Sequence, residues 1–398
     1  MKRVLFLMSD TGGGHRAAAE ALRDELVLRH GAANVRAELV DVFRNYSPPP
    51  FKYAPQIYPH WVNRAGSSWG MAFQLSNSVR RVRALSRGMY TTLESGLKRL
   101  LHEHPADVVV CVHSLLVRPA MESLHRMDAR PPFVTVVTDL AAPHAFWFDP
   151  RVERCFVPTL SAYHHAVEAG MSQQRLKLSG LPVHTRFTHR PHNKLLARRM
   201  LGWRPDLPTI LLVSGGDGIG TLDELGATID AQRLPCQLAI VTGKNHDLKM
   251  RLEHREWNQP THVYPFVKDM AALMCAADIL VTKAGPATIT EACVTGLPII
   301  LSGAIPGQET ANVDYVVRNG AGVFAPQPSQ VTDTIAAWLS NEDLRGQFAH
   351  NAQSLARPNA VYQIADEVWH YANQTRIPMR RRNVLTGLVS LPARISLL

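Results

Sequence analysis

Cysteine is scarce in this chain. Its 398 residues hold five, at 111, 155, 236, 275 and 293, an odd number with no C-x-x-C. That excludes a disulfide-stapled scaffold and a cysteine-built zinc site, and makes a reducing compartment the simplest expectation. Long apolar runs are missing too. None approaches the roughly 20 residues that a spanning helix needs, which excludes an integral helical membrane protein. Low-complexity tracts and short internal repeats are absent, and 46% of the residues are hydrophobic, which excludes bulk disorder. No G-x-G-x-x-G with an acid about 20 residues on is present, which argues against a dinucleotide-dependent dehydrogenase. Neither a Walker A loop nor a D-x-D suited to a divalent metal occurs. Met1–Asp10 has a basic flank, Lys2 and Arg3, but a short apolar stretch that Asp10 ends at once. It is expected to be a first strand, not an export signal.

What is present begins with charge. The net charge is +10, unevenly placed. Residues 43–102 hold nine Lys/Arg against one acid, Glu94, and carry +8. The tail 376–398 holds five arginines and no acid, and carries +5, so the rest of the chain is at −3. Such segments suit a polyanionic surface. In the first, Phe51, Tyr53, Ile57, Tyr58, Trp61, Trp69, Met71, Phe73 and Leu75 stand among the charges, and in the tail leucines and valines do. Aromatics and leucines beside arginines fit an anionic membrane interface rather than nucleic acid; the plain alternative is a solvated basic face.

At 44.2 kDa the chain has room for two or three domains. Two halves share one grammar. Short apolar runs predict strands at Val4–Met8, Val35–Val42, Val108–Val112, Phe133–Val137 and Arg154–Val157, then at Thr209–Val213, Gln237–Val241, His262–Pro265, Ile279–Val281, Pro298–Leu301 and Gly322–Phe324, with helical stretches between them. This predicts an α/β fold of two parallel, doubly wound domains, 1–182 and 208–358, joined by a Pro-, His- and Arg-rich linker, 183–207. A helical stretch, Asn359–Tyr371 within 359–375, follows, and then the basic apolar tail.

Four loops are candidates for chemistry. Ser9-Asp10-Thr11-Gly12-Gly13-Gly14-His15 follows the first strand and opens a helix. Gly12, Gly13 and Gly14 let backbone N–H groups approach a ligand, and the helix N-terminus adds a positive dipole end. His15 has no core to sit in there, so it is a candidate catalytic residue or a helix cap. Gly215 and Gly216 repeat the pattern after the first strand of the second half, with Asp217 beside them. Two facing glycine loops suggest a ligand in the cleft between the domains. In 282–292, Lys283, Gly285 and Thr288 surround a helix start whose Pro286 suits its first turn, an arrangement that fits a diphosphate. Glu291 either holds ribose hydroxyls or complements the helix dipole. Gln308, Glu309 and Asn312 follow a strand end; they suit sugar hydroxyls or cap a helix.

The runs 9–22, 137–159 and 282–324 resemble the monogalactosyldiacylglycerol synthase family, on both domains and over most of the chain. Ala287-Thr288 stands where that family more often has Gly-Thr. The resemblance implies a GT-B fold, two Rossmann-like domains with a deep cleft, the helix 359–371 crossing back to the first domain, and an inverting, metal-independent transfer from a UDP-sugar. It implies that Gly215, Gly216 and Thr288 meet the diphosphate, that Glu291 holds the ribose, that Gln308, Glu309 and Asn312 hold the hexose, and that the backbone of Phe266 and Val267 reads the uracil. It implies diacylglycerol as acceptor, galactose favoured over glucose, no cofactor, and a peripheral enzyme on the cytoplasmic side of the cell membrane.

An inverting transfer needs a base for the acceptor hydroxyl and stabilisation of the leaving UDP. Lys283 is a candidate point charge for the latter. Base candidates on the first domain are His15, Asp139 and His144. His15 has a suitable ordinary pKa. Asp139, at a strand end, needs a raised one, and is favoured as base, with His15 as a donor or lipid contact. The rival readings are an N-acetylglucosaminyl transferase acting on a polyprenyl-linked acceptor, a UDP-sugar epimerase of the same fold, and a non-catalytic UDP-sugar sensor.

Overall fold

The apolar runs of the first half become parallel strands of one sheet, and those of the second half become another. The computed structural model describes residues 1–188, 193–214 and 222–379. The first domain holds β1 (Lys2–Met8), β2 (Val35–Asp41), β3 (Val108–Cys111), β4 (Ala129–Arg130), β5 (Phe133–Val136), β6 (Arg154–Val157) and β7 (Leu176–Leu178). The second holds β8 (Thr209–Val213), β9 (Gln237–Val241), β10 (Thr261–Tyr264), β11 (Ile279–Lys283), β12 (Ile299–Gly303) and β13 (Gly322–Phe324). The sheet orders are β2-β1-β3-β5-β6-β7 and β10-β9-β8-β11-β12-β13. In each, the chain winds one way from its first strand and then crosses to wind the other way. The switch points lie between β1 and β3 and between β8 and β11. Loops at the carboxyl ends of those strands are where doubly wound sheets bind ligands.

Both faces of each sheet are covered, so the strands are continuously apolar rather than alternating. Val108, Val109, Val110 and Cys111 are all fully buried, as are Ile210, Leu211 and Leu212. None of the five cysteines forms a disulfide. The short edge strand β7 was not expected from the sequence.

The basic aromatic segment folds as helices: Ala54–Arg64, Gly66–Ser76 and Val79–Glu103. Ser78 caps the last, its hydroxyl accepting from Arg81 N at 3.3 Å. Val82, Ser86, Tyr90, Leu93, Leu97 and Leu100 recur every three or four residues along that helix and are its buried stripe.

Helix Ala360–Ala372 crosses back to the first domain. It buries Val361, Ile364, Ala365 and Val368 with Val4, Phe6, Leu22 and Val110. Asp366 pairs with Arg29, and Glu367 pairs with Lys177 and Arg154. At the crossing Gly180 has φ +96°, and a Cβ there would lie 2.6 Å from Arg357 Cβ. β14 (Ile377–Pro378) then pairs antiparallel with β4.

The linker region is not extended throughout. Helix Lys194–Met200 packs against helix Met270–Ala276, and buried Arg198 donates to Ala276 O at 3.0 Å and pairs with Asp278. Gly215, Gly216 and Asp217, and the tail from 380 onward, lie outside the described residues.

Candidate active site between the two sheets

On the first domain, the turn out of β1 requires φ +97° at Gly12, a conformation glycine adopts without strain. Helix Gly13–His30 follows, and places His15 as the third residue of its first turn. His15 Nδ1 lies 2.8 Å from Thr138 Oγ1 at the end of β5. Its ring is 4.6 Å from that of His113, just past the end of β3, and 6.1 Å from that of Trp147. His113 Nε2 is 2.7 Å from Thr11 Oγ1. Burial lowers His15 to about 4, against the opposing pull of a hydrogen bond to the Val112 backbone and the charge of Asp10. Burial, and then His15 itself, hold His113 well below the ordinary histidine range. Both rings are therefore neutral at physiological pH.

Asp139 follows β5 as expected. Its Oδ2 accepts from the Trp147 indole N–H at 2.7 Å. Burial raises Asp139 to about 6; hydrogen bonds from Trp147 and the His144 backbone oppose this, and the carboxylate of Glu309, on the other domain, adds to it. Asp139 thus has the raised basicity that a base on this side of the cleft requires.

His144 stands apart from this group. Its Nδ1 accepts from Phe146 N at 3.2 Å, and its Nε2 is 3.1 Å from Ser76 Oγ. The ring stacks on Phe146 at 4.8 Å and meets Phe73 edge-on at the same distance. With both nitrogens engaged it joins helix Gly66–Ser76 to the domain.

On the second domain, the β11–β12 register shifts between Thr282 and Lys283. Lys283 Nζ donates to Glu309 Oε1 at 2.5 Å, and Ile305 N donates to Glu309 Oε2 at 3.0 Å. A Cβ at Gly285 would stand 3.3 Å from Lys283 Nζ, so glycine leaves room for this pair. Lys283 is thus neutralised by a buried carboxylate rather than standing as an isolated cation, and both Glu309 oxygens already have a protein donor.

Helix Pro286–Thr295 starts at Gly285 with no side-chain cap, so among the described residues no side chain takes its first-turn N–H groups at Ala287 and Thr288. Thr288 is half-buried. Glu291, one turn further, makes no hydrogen bond or ion pair among the described residues, and burial raises it to about 8. An unpartnered, half-buried carboxyl beside a helix N-terminus is a ready acceptor for ligand hydroxyls. A Cβ at Gly14 would lie 3.7 Å from Ala287 Cβ, so the first glycine loop touches this helix start across the cleft.

Gln308 Oε1 accepts from Tyr58 and Trp69 on the insertion. Asn312, expected at the hexose, has both ends of its amide taken: Oδ1 accepts from Ala141 N of the first domain at 3.1 Å, and Nδ2 donates to Ala284 O at 2.9 Å. It bridges the domains. After β10, Phe266 is exposed while Val267 packs on the core. Among the described residues, no group of three or more His, Cys, Asp or Glu side chains is placed to hold a metal ion.

The structure therefore brings together Gly12, Gly13, Gly14, His15 and Asp139 from one side and Lys283, Gly285, Thr288, Glu291, Gln308 and Glu309 from the other. Sequence reasoning missed His113, Thr138 and Trp147. His113 lies just past the end of β3, beside a switch point, and that position is a usable signal. Trp147 had none, because its indole reaches Asp139 only through the fold.

Two doubly wound domains with their switch-point loops facing across a cleft, closed by a helix returning from the second to the first, give this chain the GT-B fold. The fold is similar to that of MurG from Acinetobacter baumannii (TM-score 0.58, 16% identity, 93% of this chain and 100% of that one). It is also similar to WaaG, a glycosyltransferase involved in lipopolysaccharide biosynthesis (TM-score 0.54, 16% identity, 92% and 99%). Residues 15–183 match the monogalactosyldiacylglycerol (MGDG) synthase family model, and residues 212–368 match the glycosyltransferase family 28 C-terminal domain. The chain is 36% identical over 394 residues to a probable monogalactosyldiacylglycerol synthase 2, chloroplastic, of Oryza sativa subsp. indica, covering 95% of this chain and 83% of the relative. It is 36% identical over 398 residues to monogalactosyldiacylglycerol synthase 3, chloroplastic, of Arabidopsis thaliana, with the same coverage. The chain belongs to the monogalactosyldiacylglycerol synthase family.

Proposed function

We propose that this enzyme transfers a hexose, galactose in preference to glucose, from a UDP-sugar to the free hydroxyl of diacylglycerol, with inversion, at a membrane surface. Asp139 carries the reading: a carboxylate raised to about 6, close enough to the Glu309 loop to feel its charge. It takes the proton from the acceptor hydroxyl. The hydroxyl oxygen attacks the anomeric carbon from the face opposite the diphosphate, the bond from that carbon to the diphosphate oxygen breaks, and UDP leaves with the electron pair. The first-turn N–H groups of Ala287 and Thr288, the Thr288 hydroxyl, and Gly215 and Gly216 receive the diphosphate. Glu291 accepts from the ribose hydroxyls, Gln308 and the Lys283–Glu309 pair meet the hexose, and the Phe266–Val267 backbone reads the uracil. Neutral His15, held by Thr138, is a contact for the acceptor headgroup. His144 and Asn312 keep the two domains and the insertion in register.

The acceptor class rests on the relatives, which are named for diacylglycerol galactosylation. The insertion supports it. Tyr53, Ile57, Trp61, Met71, Leu75 and Leu85 are exposed large apolar side chains. Ile57 and Trp61 share one helix face, Met71 and Leu75 share another, and exposed Arg80, Arg81, Arg83 and Arg87 stand beside them. That is the composition of an interfacial anchor, and no described helix is long and apolar enough to cross a membrane. The named relatives are chloroplast proteins, which does not support the cytoplasmic leaflet expected from the sequence.

The test is UDP release by the purified protein with vesicles of diacylglycerol and anionic lipid, comparing UDP-galactose with UDP-glucose and reading the product anomer by NMR. Lipid-dependent release, weakening with salt as the arginines are screened, is expected. Release without any lipid would overturn the acceptor assignment, and a retained anomer would overturn the mechanism.

A further inference from the structure

Gln308 is held by the membrane-facing insertion, not by its own domain. Trp69 Nε1 donates to Gln308 Oε1 at 3.0 Å, and Tyr58 Oη donates to the same oxygen at 3.1 Å. An indole N–H can only donate, so the amide must turn its oxygen to the insertion; the flipped amide would set N–H against N–H. Its NH2 group is thereby directed away from the insertion, with two donor hydrogens.

The two donors are braced. The Tyr58 and Trp69 rings meet edge-on at 5.1 Å, and Trp61 meets Trp69 edge-on at 5.3 Å. Trp61 is fixed in turn by donating to Ser68 Oγ at 2.9 Å. The backbones then close on each other without side chains between them. A Cβ at Gly70 would lie 2.9 Å from Pro306 Cβ and 3.0 Å from Pro306 O. Gly307, at φ +74°, would place its own Cβ 3.0 Å from Gly70 O. Two glycines, one on each side, let the helix Gly66–Ser76 seat directly on the loop that delivers Gln308.

We infer that Tyr58 and Trp69 are positioning residues for donor-sugar recognition: they lock the Gln308 amide so that its NH2 meets the hexose, which couples the membrane insertion to the donor subsite. The inference rests on the reading of Gln308 as a hexose contact. It has a consequence that general packing does not. Releasing the amide should weaken the sugar's share of donor binding and leave the nucleotide's share alone.

The experiment is calorimetric titration of the full chain with UDP and with UDP-galactose, for wild type, Trp69→Phe, Tyr58→Phe/Trp69→Phe, Gln308→Ala and Gln308→Ala/Trp69→Phe. At roughly fivefold per lost neutral hydrogen bond, the Kd for UDP-galactose should rise about fivefold in Trp69→Phe and about 10- to 30-fold in the double variant. The Kd for UDP should stay within about twofold. Adding Trp69→Phe to Gln308→Ala should change nothing further. Because phenylalanine keeps the apolar rings, vesicle binding should stay at the wild-type level. Equal loss of UDP and UDP-galactose affinity, or an undiminished effect of Trp69→Phe in the Gln308→Ala background, would overturn the inference. If Gln308→Ala itself leaves UDP-galactose binding intact, the hexose role of Gln308 falls and the inference falls with it. An intact Gln308 effect with a silent Trp69→Phe refutes the coupling alone.

Discussion

Asparagine at Asp139 keeps the shape of the side chain and removes its proton affinity. Burial raises this carboxyl from 3.8 to about 6, so near neutral pH it is ionised yet about two units more basic than an ordinary aspartate. A positioned base contributes roughly 10²- to 10⁴-fold, so Asp139→Asn should lower kcat by that factor, equivalent to about 3–5 kcal/mol of transition-state stabilisation. UDP affinity should not change, because the proposed nucleotide site is on the other domain. The pH dependence gives a sharper test. Below about 6 the carboxyl is protonated, and kcat/KM should fall tenfold per unit. Trp147 donates to Oδ2 at 2.7 Å and so favours the charged form. Removing that donor in Trp147→Phe should raise the pKa and move the acidic limb to higher pH. A His15 base would give a limb near 4 instead, since burial lowers that ring to about 4. Initial rates from pH 4 to 9, with the melting temperature of Trp147→Phe measured alongside, decide the matter. Wild-type turnover by Asp139→Asn, or a limb near 4 that Trp147→Phe does not move, would refute the reasoning.

Glu291 is raised from 4.5 to about 8 by burial. The folded state therefore favours the protonated form, and the stability this contributes is full below about 4.5 and lost as the pH climbs through about 8. The melting temperature of the ligand-free enzyme should fall across that window relative to Glu291→Gln; a difference between the two that does not depend on pH would contradict the assignment. Glu291→Gln should also weaken UDP binding about tenfold through the ribose, read by titration. Asn312→Ala leaves Ala141 N and Ala284 O without the side-chain partner they have now. It should cost about 1–3 kcal/mol in chemical denaturation; unchanged stability with a selective loss of UDP-galactose affinity would return Asn312 to the hexose.

The strands were legible because both faces of each sheet are covered, so burial is written into the sequence as uninterrupted apolar runs. Arg154–Val157, Thr209–Val213, Gln237–Val241 and Gly322–Phe324 form over the expected residues. The doubly wound order follows from strand–helix alternation, and the functional loops follow from the order. β7 escaped because three residues at a sheet edge carry no periodicity. The helices of 51–76 escaped because their apolar residues face outward, so no core-facing stripe marks them. Within the site, a strand end pointed to Asp139 and a glycine loop to His15, but neither showed what their environments would do to them.

Sequence alone therefore determined the two-domain α/β architecture, the switch-point loops and the basic aromatic insertion. These depend on local pattern, which is read along the chain. Tertiary structure alone decided which titratable groups are poised and which are spent. Burial makes Asp139 more basic and His15 less so, the Ala141 and Ala284 backbone takes up the Asn312 amide, and a tryptophan 239 residues away turns the Gln308 amide. Desolvation and hydrogen-bond partnership depend on what the rest of the chain brings within a few ångströms, and that proximity exists only once the two domains have closed on each other.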